Sequence, residues 1–123
     1  MKHVLEVVGG IGVSRPQGES SLVEAVELVR SAVENCRRKK LPKLLFNATG
    51  LTGVSIPTLV DRFLAVEEWA QEAEGLVSVA LVVHPEYIHP HKFGVVVAAH
   101  FGLQADVFTN ETEAFDWFAS VSD

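Results

Sequence analysis

The run 76-LVSVALVV-83 constrains the fold more than any other part of the chain. It is apolar at both alternating sets of positions, so a strand made from it must be covered on both faces. It is also far shorter than the ~20 residues that span a bilayer. A strand of this kind belongs inside a sheet with helices on either side, and the flanking segments supply them.

Residues His3 to Val8 read as a strand, Gly9 and Gly10 as a tight turn, and Ile11 to Arg15 as a returning strand, so the chain opens on a hairpin that Pro16 and Gly18 end. Ser21 and Glu24 fit the S-x-x-E capping box, and Leu22, Val26, Val29, Val33 and Cys36 then step by four and three. This predicts a helix to about Lys40, which Pro42 forbids from continuing. The basic run Arg37 to Lys40 then sits at the negative end of the helix dipole. Leu44 to Ala48 is a short strand buried on both faces, and Gly50 and Gly53 shape the loop after it. Ser55 is expected to be the N-cap of a second helix, with Pro57 in its first turn and Leu59, Val60, Phe63, Leu64, Trp69 and Ala73 as its apolar stripe, ended by Gly75. Leu76 to Val83 is expected at the centre of the sheet, His84 to Pro90 as a loop, and His91 to Phe101 as a third helix stopped by Gly102. Ala105 to Phe108 is a strand. Asn110 and Glu113 open a last helix lined by Ala114, Phe115, Phe118 and Val121.

The order β-β-α-β-α-β-α-β-α implies a single-domain mixed α/β fold with a mainly parallel sheet and helices on both faces. At 123 residues with 48% hydrophobic and 21% charged, the chain suits one globular domain with a core of its own. A net charge of −6 argues against nucleic acid as a partner. The lone Cys36 allows no intrachain disulfide and falls on an apolar stripe, which fits an inert buried thiol in a reducing compartment. MKHVLEVVGG is too short and interrupted for a signal peptide and no run is long enough to span a membrane, so a cytoplasmic location is expected.

The stretch 44-LLFNATGLTGVSIPTL-59 and the ending 107-VFTNETEAFDWFAS-120, with Ala114 and Trp117 at a recurrent spacing, resemble the STAS domain family of anti-sigma-factor antagonists, and in particular its SpoIIAA-like branch of small bacterial proteins. The resemblance covers essentially the whole chain. It implies a regulatory module that works by protein contact. In the phosphorylated members an Asp-hydrophobic-Ser-Gly stretch leads to an Asp-Ser pair before the helix. In that register Asn47 stands at the first acidic position, Thr49 and Gly50 at Ser-Gly, Ser55 at the second acidic position and Ile56 at the phosphoacceptor. Isoleucine cannot accept phosphate. A one-residue slip would put Ser55 in that role, but Val54 then replaces the carboxylate before it.

Ligands of open α/β sheets bind outside the carboxyl edge. Asn47, Thr52, Ser55, Thr58, His84 and Tyr87 are therefore expected to line one shallow cleft. Three readings compete. The first is a non-enzymatic binding module acting on a partner protein or by self-association, with a homodimer as the expected state. The second is a binder of a small apolar molecule or lipid, suggested by 93-FGVVVAAHFG-102 and by Phe63, Phe93, Phe101 and Phe108, residues that ordinary core packing also explains. The third is a hydrolase built on Ser55 and His84, against which stands the absence of a G-x-S-x-G elbow. No catalytic residue and no cofactor is assigned. Phosphorylation is not assigned either, Ser55 being the hydroxyl that would carry it, with Thr58 as a lesser one. His84, His89 and His91 are the side chains a metal would use, but the spacing within 84-HPEYIHPHK-92 matches no ligand motif. Likewise 9-GGIGVSRPQG-18 is no dinucleotide fingerprint. His3 and His100 are read as structural.

Overall fold

Gly9 and Gly10 take φ of 56° and 80°, the two-residue turn whose twist matches that of the strands it joins. It connects β1 (Leu5–Val8) to β2 (Ile11–Ser14) as an antiparallel hairpin with Val8 opposite Ile11. The computed structural model describes residues 5–121, so His3 and the first residues of the expected opening strand lie outside the described residues. The remaining strands of the sheet are parallel. β2 pairs with β4 (Lys43–Asn47), β4 with β6 (Ser78–Val82) and β6 with β7 (Ala105–Phe108), giving the order β1-β2-β4-β6-β7. The architecture is the expected mixed α/β one. The run expected at the centre is interior, but the middle strand is β4. A short parallel pair, β3 (Gly18–Glu19) with β5 (Leu51–Thr52), forms a separate ribbon that the sequence did not suggest.

Helix α1 (Leu22–Arg38) begins with both halves of its capping box in place. Glu24 N–H donates to Ser21 Oγ at 3.0 Å, and Ser21 N–H to Glu24 Oε1 at 2.8 Å. It ends two residues before the expected Lys40, where that lysine turns left-handed (φ 59°) and the amides of Lys40 and Leu41 return to the carbonyls of Arg37 and Cys36. Helix α2 (Leu59–Ala73) starts at Thr58, not at Ser55. Thr58 Oγ1 accepts from Asp61 N–H at 3.0 Å, and Thr58 N–H donates to Asp61 Oδ2 at 2.9 Å. A cap at Ser55 would place a threonine, too short to reach back, where the box needs a carboxylate. It would also require helical backbone at Ile56, which the following Pro57 disfavours. Helix α3 (Phe93–His100) starts later than expected because Lys92 is left-handed (φ 50°), which leaves His91 outside it. Helix α4 (Glu111–Ser120) is capped by Asn110.

The two sheet faces are covered differently. Leu44 and Phe46 of β4 and Val79 of β6 pack under α1, α2 and α3, with Val29, Val33, Val66 and Ala98. Leu45, Ala80 and Val82 point the other way, with Val13, and meet Ala114 and Phe118 of α4 alone. Within α2 the expected stripe is mostly on the wrong side. Ala65, Val66 and Ala73 are buried, whereas Leu59, Val60 and Leu64 are 50%, 67% and 55% exposed. Phe63 also remains partly in solvent, its edge against Phe101 with ring centroids 5.5 Å apart. The part of the stripe that holds is Trp69 and Ala73; they turn inward together with Ala65 and Val66, because the small side chains of Ala65 and Ala73 allow close approach and Trp69 Nε1 donates to the Val26 carbonyl of α1 at 3.0 Å. No helix among the described residues is long and apolar enough to cross a membrane.

Candidate functional site

Where α1, α2 and α3 lie over the carboxyl half of the sheet, packing is incomplete. A cavity of about 180 Å³ remains between Phe46, Val79 and Leu81 on the sheet side and Val26, Trp69 and Val95 on the helix side. Small residues create it: Ala25, Ala48, Ala65, Gly94, Ala98 and Ala105 all line it. Interiors normally pack to crystal-like density with few voids above the size of water, so a volume of this size is a feature to be explained.

At the carboxyl edge the cavity meets polar groups from two loops and two helices. His84 Nε2 lies 3.1 Å from the Thr49 carbonyl. A carbonyl only accepts, so that nitrogen carries the proton. Tyr87, in a single 3₁₀ turn over Pro85–Tyr87, donates its hydroxyl to the Val54 carbonyl at 2.5 Å, tying the loop after β6 to the loop after β5. Arg62 of α2 donates to the Tyr87 carbonyl at 2.9 Å. Burial lowers the Arg62 guanidinium from its ordinary range, since desolvation disfavours its charge. Lys92 is held by Asp106 at 2.8 Å.

A second polar cluster occupies the same edge on the opposite face. Arg15 grips Glu111 through two bonds of 2.8 and 2.9 Å, and Asn47 Nδ2 donates to the same carboxylate at 2.7 Å. Asn47 Oδ1 accepts from the amide and hydroxyl of Thr49. The Arg15 bonds, and secondarily the Asn47 bond, hold the Glu111 carboxyl below its usual range despite partial burial.

No family model matches the chain, and no curated protein matches it. Among solved structures, the anti-sigma factor antagonist SpoIIAA in its unphosphorylated form is similar over 98% of this chain and 100% of its own, with a TM-score of 0.54 and 20% identity. The fold is SpoIIAA-like, of the STAS type. The Bacillus cell fate determinant SpoIIAA in its phosphorylated form also matches, over 95% of this chain and 99% of its own at 20% identity, with a TM-score of 0.49.

In this STAS frame the six residues expected to share a cleft separate. His84 and Tyr87 line the cavity. Asn47 cannot join them, because successive strand residues face opposite ways and its neighbours Phe46 and Ala48 take the cavity side. Thr52 is exposed in the β3–β5 ribbon, Ser55 is exposed in the coil before α2, and Thr58 is spent as the helix cap. No hydrogen bond joins Ser55 to His84 among the described residues. Ile56, which the resemblance set at the phosphoacceptor position, is half exposed two residues before the Thr58 cap.

The histidines also divide. His89 Nδ1 accepts from the His91 amide at 3.1 Å with ring centroids 5.8 Å apart, while His84 is engaged separately at Thr49. His100 closes α3 with its ring edge against Phe101. Sequence reasoning missed Arg62 and Lys92. A charged residue among the apolar positions of α2 was the available signal for Arg62, and it was hidden by the assignment of the wrong stripe to the core.

Proposed function

We propose that the chain is a non-enzymatic, STAS-like regulatory module that acts by contact with a partner protein through the outward face of α2. The observation that supports this is the unexpected rotation of that helix. Leu59, Val60, Phe63 and Leu64 form one solvent-facing patch, continued by Ile56, which is 51% exposed. Val23 of α1 borders Leu64 across a shallow groove. Such contiguous apolar surface marks interaction sites. Removing the exposed half of each side chain from water is worth on the order of 1 kcal/mol per residue. Glu27, Asp61 and Glu68 rim the groove but are engaged within the chain, Glu27 and Glu68 by Arg30 and Asp61 by Thr58, so the fitting partner is chiefly apolar.

The contact works without the phosphoserine switch of the phosphorylated relatives. Ile56 stands at the acceptor position, and a phosphate on Thr58 would break a formed cap and face the Asp61 carboxylate. The buried thiol of Cys36 suits a cytoplasmic setting.

A photo-crosslinking residue at Val60, introduced in the source cells, tests the reading. A discrete crosslinked partner is expected in the wild-type background, and it is lost when Leu59 and Leu64 are changed to Glu. Crosslinks that are absent, or unchanged by those substitutions, refute it. Light scattering on the purified chain separates the self-association alternative: a dimer dissolved by the same pair of changes would assign the face to a second copy. Intact-mass analysis after kinase treatment tests the missing switch, and a phosphate at Ser55 or Thr58 would overturn that part.

A further inference from the structure

We propose that the cavity beneath α1, α2 and α3 is a binding site for a small monocarboxylate with a compact apolar body, an aryl or medium-chain carboxylic acid, whose carboxylate is received by Arg62. The inference does not depend on the partner-contact reading, which rests on the exposed side chains of Leu59, Val60 and Leu64, none of which lines the cavity.

The cavity sets the apolar part. Its volume of about 180 Å³, partly open to solvent, is lined mainly by aliphatic and aromatic side chains. An engineered apolar cavity of about 150 Å³ stays dry and takes up benzene. The site therefore fits an aromatic ring or a short alkyl chain, and it is too small for the two acyl chains of a membrane lipid.

Arg62 sets the polar part. It lines the cavity, and its single protein partner among the described residues is the Tyr87 carbonyl. A guanidinium has five N–H donors and always carries its charge. Leaving it unpaired beside apolar surface is costly. The other ionic groups at this edge are already satisfied. Asp61 is bonded to Thr58 N–H in the capping box, and Asp106 accepts from Lys92 Nζ and Val107 N–H. His84 is bonded to the Thr49 carbonyl, and His89 Nδ1 accepts from the His91 amide. Arg62 is thus the charged group lining the cavity that has spare donors and no counter-charge. A planar carboxylate matches its fork with two parallel bonds. A dianionic phosphate would call for more than one free cation, and Lys92 is occupied by Asp106. A neutral apolar molecule would leave the guanidinium unpaired.

Tyr87 shapes the entrance. Its hydroxyl bond to Val54 bridges the two loops beside Arg62, and its carbonyl orients the guanidinium. Entry at this edge carries the apolar body inward and leaves the carboxylate outermost, at Arg62.

The probes are octanoate and phenylacetate, each paired with its neutral alcohol, octanol or phenylethanol. Titration calorimetry measures affinity, and the fluorescence of Trp69, which lines the cavity, reports occupancy. Wild type is expected to bind the acids about ten- to a hundred-fold more tightly than the alcohols, the usual worth of a hydrogen bond to a charged group. Arg62→Met, which keeps the apolar stem, is expected to erase that preference. Gly94→Leu is expected to abolish binding of acid and alcohol alike. A Cβ on Gly94 meets nothing nearer than Val66 Cγ2 at 3.7 Å, so that variant has room to fold while filling the cavity. Circular dichroism confirms folding of both variants. Wild type that binds no probe, that prefers alcohols, or that binds acids equally with Met at 62 or Leu at 94 would overturn the proposal.

Discussion

A methyl group added to Gly12 should destabilise the protein through one identifiable contact. A Cβ built at Gly12 lies 2.5 Å from Cys36 Sγ, with Leu5 Cδ1 at 3.4 Å and Leu41 Cδ1 at 3.5 Å closing the other directions. Comfortable separation of such atoms is about 3.5–4.0 Å, so one partner must move by about 1 Å. Cys36 is fully buried on α1, and Gly12 is in a strand paired on both sides, so neither retreats freely. Overpacking of this kind costs about 1–3 kcal/mol. With urea m-values of about 1–3 kcal/mol/M, the midpoint of Gly12→Ala should fall by roughly 1 M. The decisive measurement is a double-mutant cycle. Cys36→Ala alone loses some packing, but in combination it provides the space that Ala at 12 needs. The double variant should be more stable than the sum of the two single costs by more than the ~0.5 kcal/mol scatter of independent sites. Simple additivity of the urea midpoints would refute the assignment of the strain to the sulfur.

Thr58→Ala should cost about 1 kcal/mol and Ser55→Ala less than about 0.5 kcal/mol in thermal or urea unfolding; equal losses would contradict the position of the α2 cap. Asn47→Ala removes a donor to the Glu111 carboxylate and the acceptor of two Thr49 bonds, and should cost about 1.5–3 kcal/mol by the same assay. Glu72 and Glu111 have carboxyl groups lowered from 4.5 in the folded state by Arg37 and Arg15 respectively. Their contribution is therefore complete above pH 4.5 and is lost as pH falls through the folded values. Urea midpoints should drop on acidification below pH 4.5, and Glu111→Gln should flatten that limb; an unchanged slope would count against the Arg15–Glu111 clamp. Burial pushes the Cys36 thiol up to about 11, so a disulfide reagent at pH 8 should label it at the rate of unfolding, with immediate labelling in urea. Immediate labelling of the native protein would place the thiol at the surface.

The fold was legible because its strands are short apolar runs bounded by glycine and proline, and α1, α2 and α4 carry apolar stripes and caps. Both signals are local. What could not be read came from competition between local signals. In α2 two stripes are offered, both running into Trp69 and Ala73, one through Leu59, Val60, Phe63 and Leu64 and one through Ala65 and Val66, and periodicity alone does not choose between them. At the entry to that helix Ser55 and Thr58 are both capping residues, and Asp61 three positions after Thr58 decides. The β3–β5 ribbon has two residues in each strand, too few for any alternation to show. Of the residues expected at the carboxyl edge, His84 and Tyr87 do meet at the cavity. Asn47 was separable in advance, since strand alternation puts it on the face opposite Phe46 and Ala48.

The rotation of α2 joins the apolar patch to the cavity. On the α4 side, Phe118 and the neighbouring Trp117 and Phe108 fill the space over Leu45 and Val82. On the three-helix side, α2 brings Ala65 and Val66 to the sheet and leaves Leu59, Val60 and Leu64 outside. The space left there, about 180 Å³ and partly open to solvent, is volume that the larger side chains would fill if turned inward. Polar bonds hold the helix in its observed orientation: Trp69 to the Val26 carbonyl, Glu72 to Arg30 at 2.8 Å and to Arg37 at 2.6 Å, and Arg62 to the Tyr87 carbonyl. Directional bonds with mutually consistent geometry can fix one packing arrangement over a more apolar competitor, because breaking them on a partly buried surface leaves donors and charges unpaired. The same bonds therefore keep the patch outward and the cavity open, and they set Arg62 at the cavity's polar end.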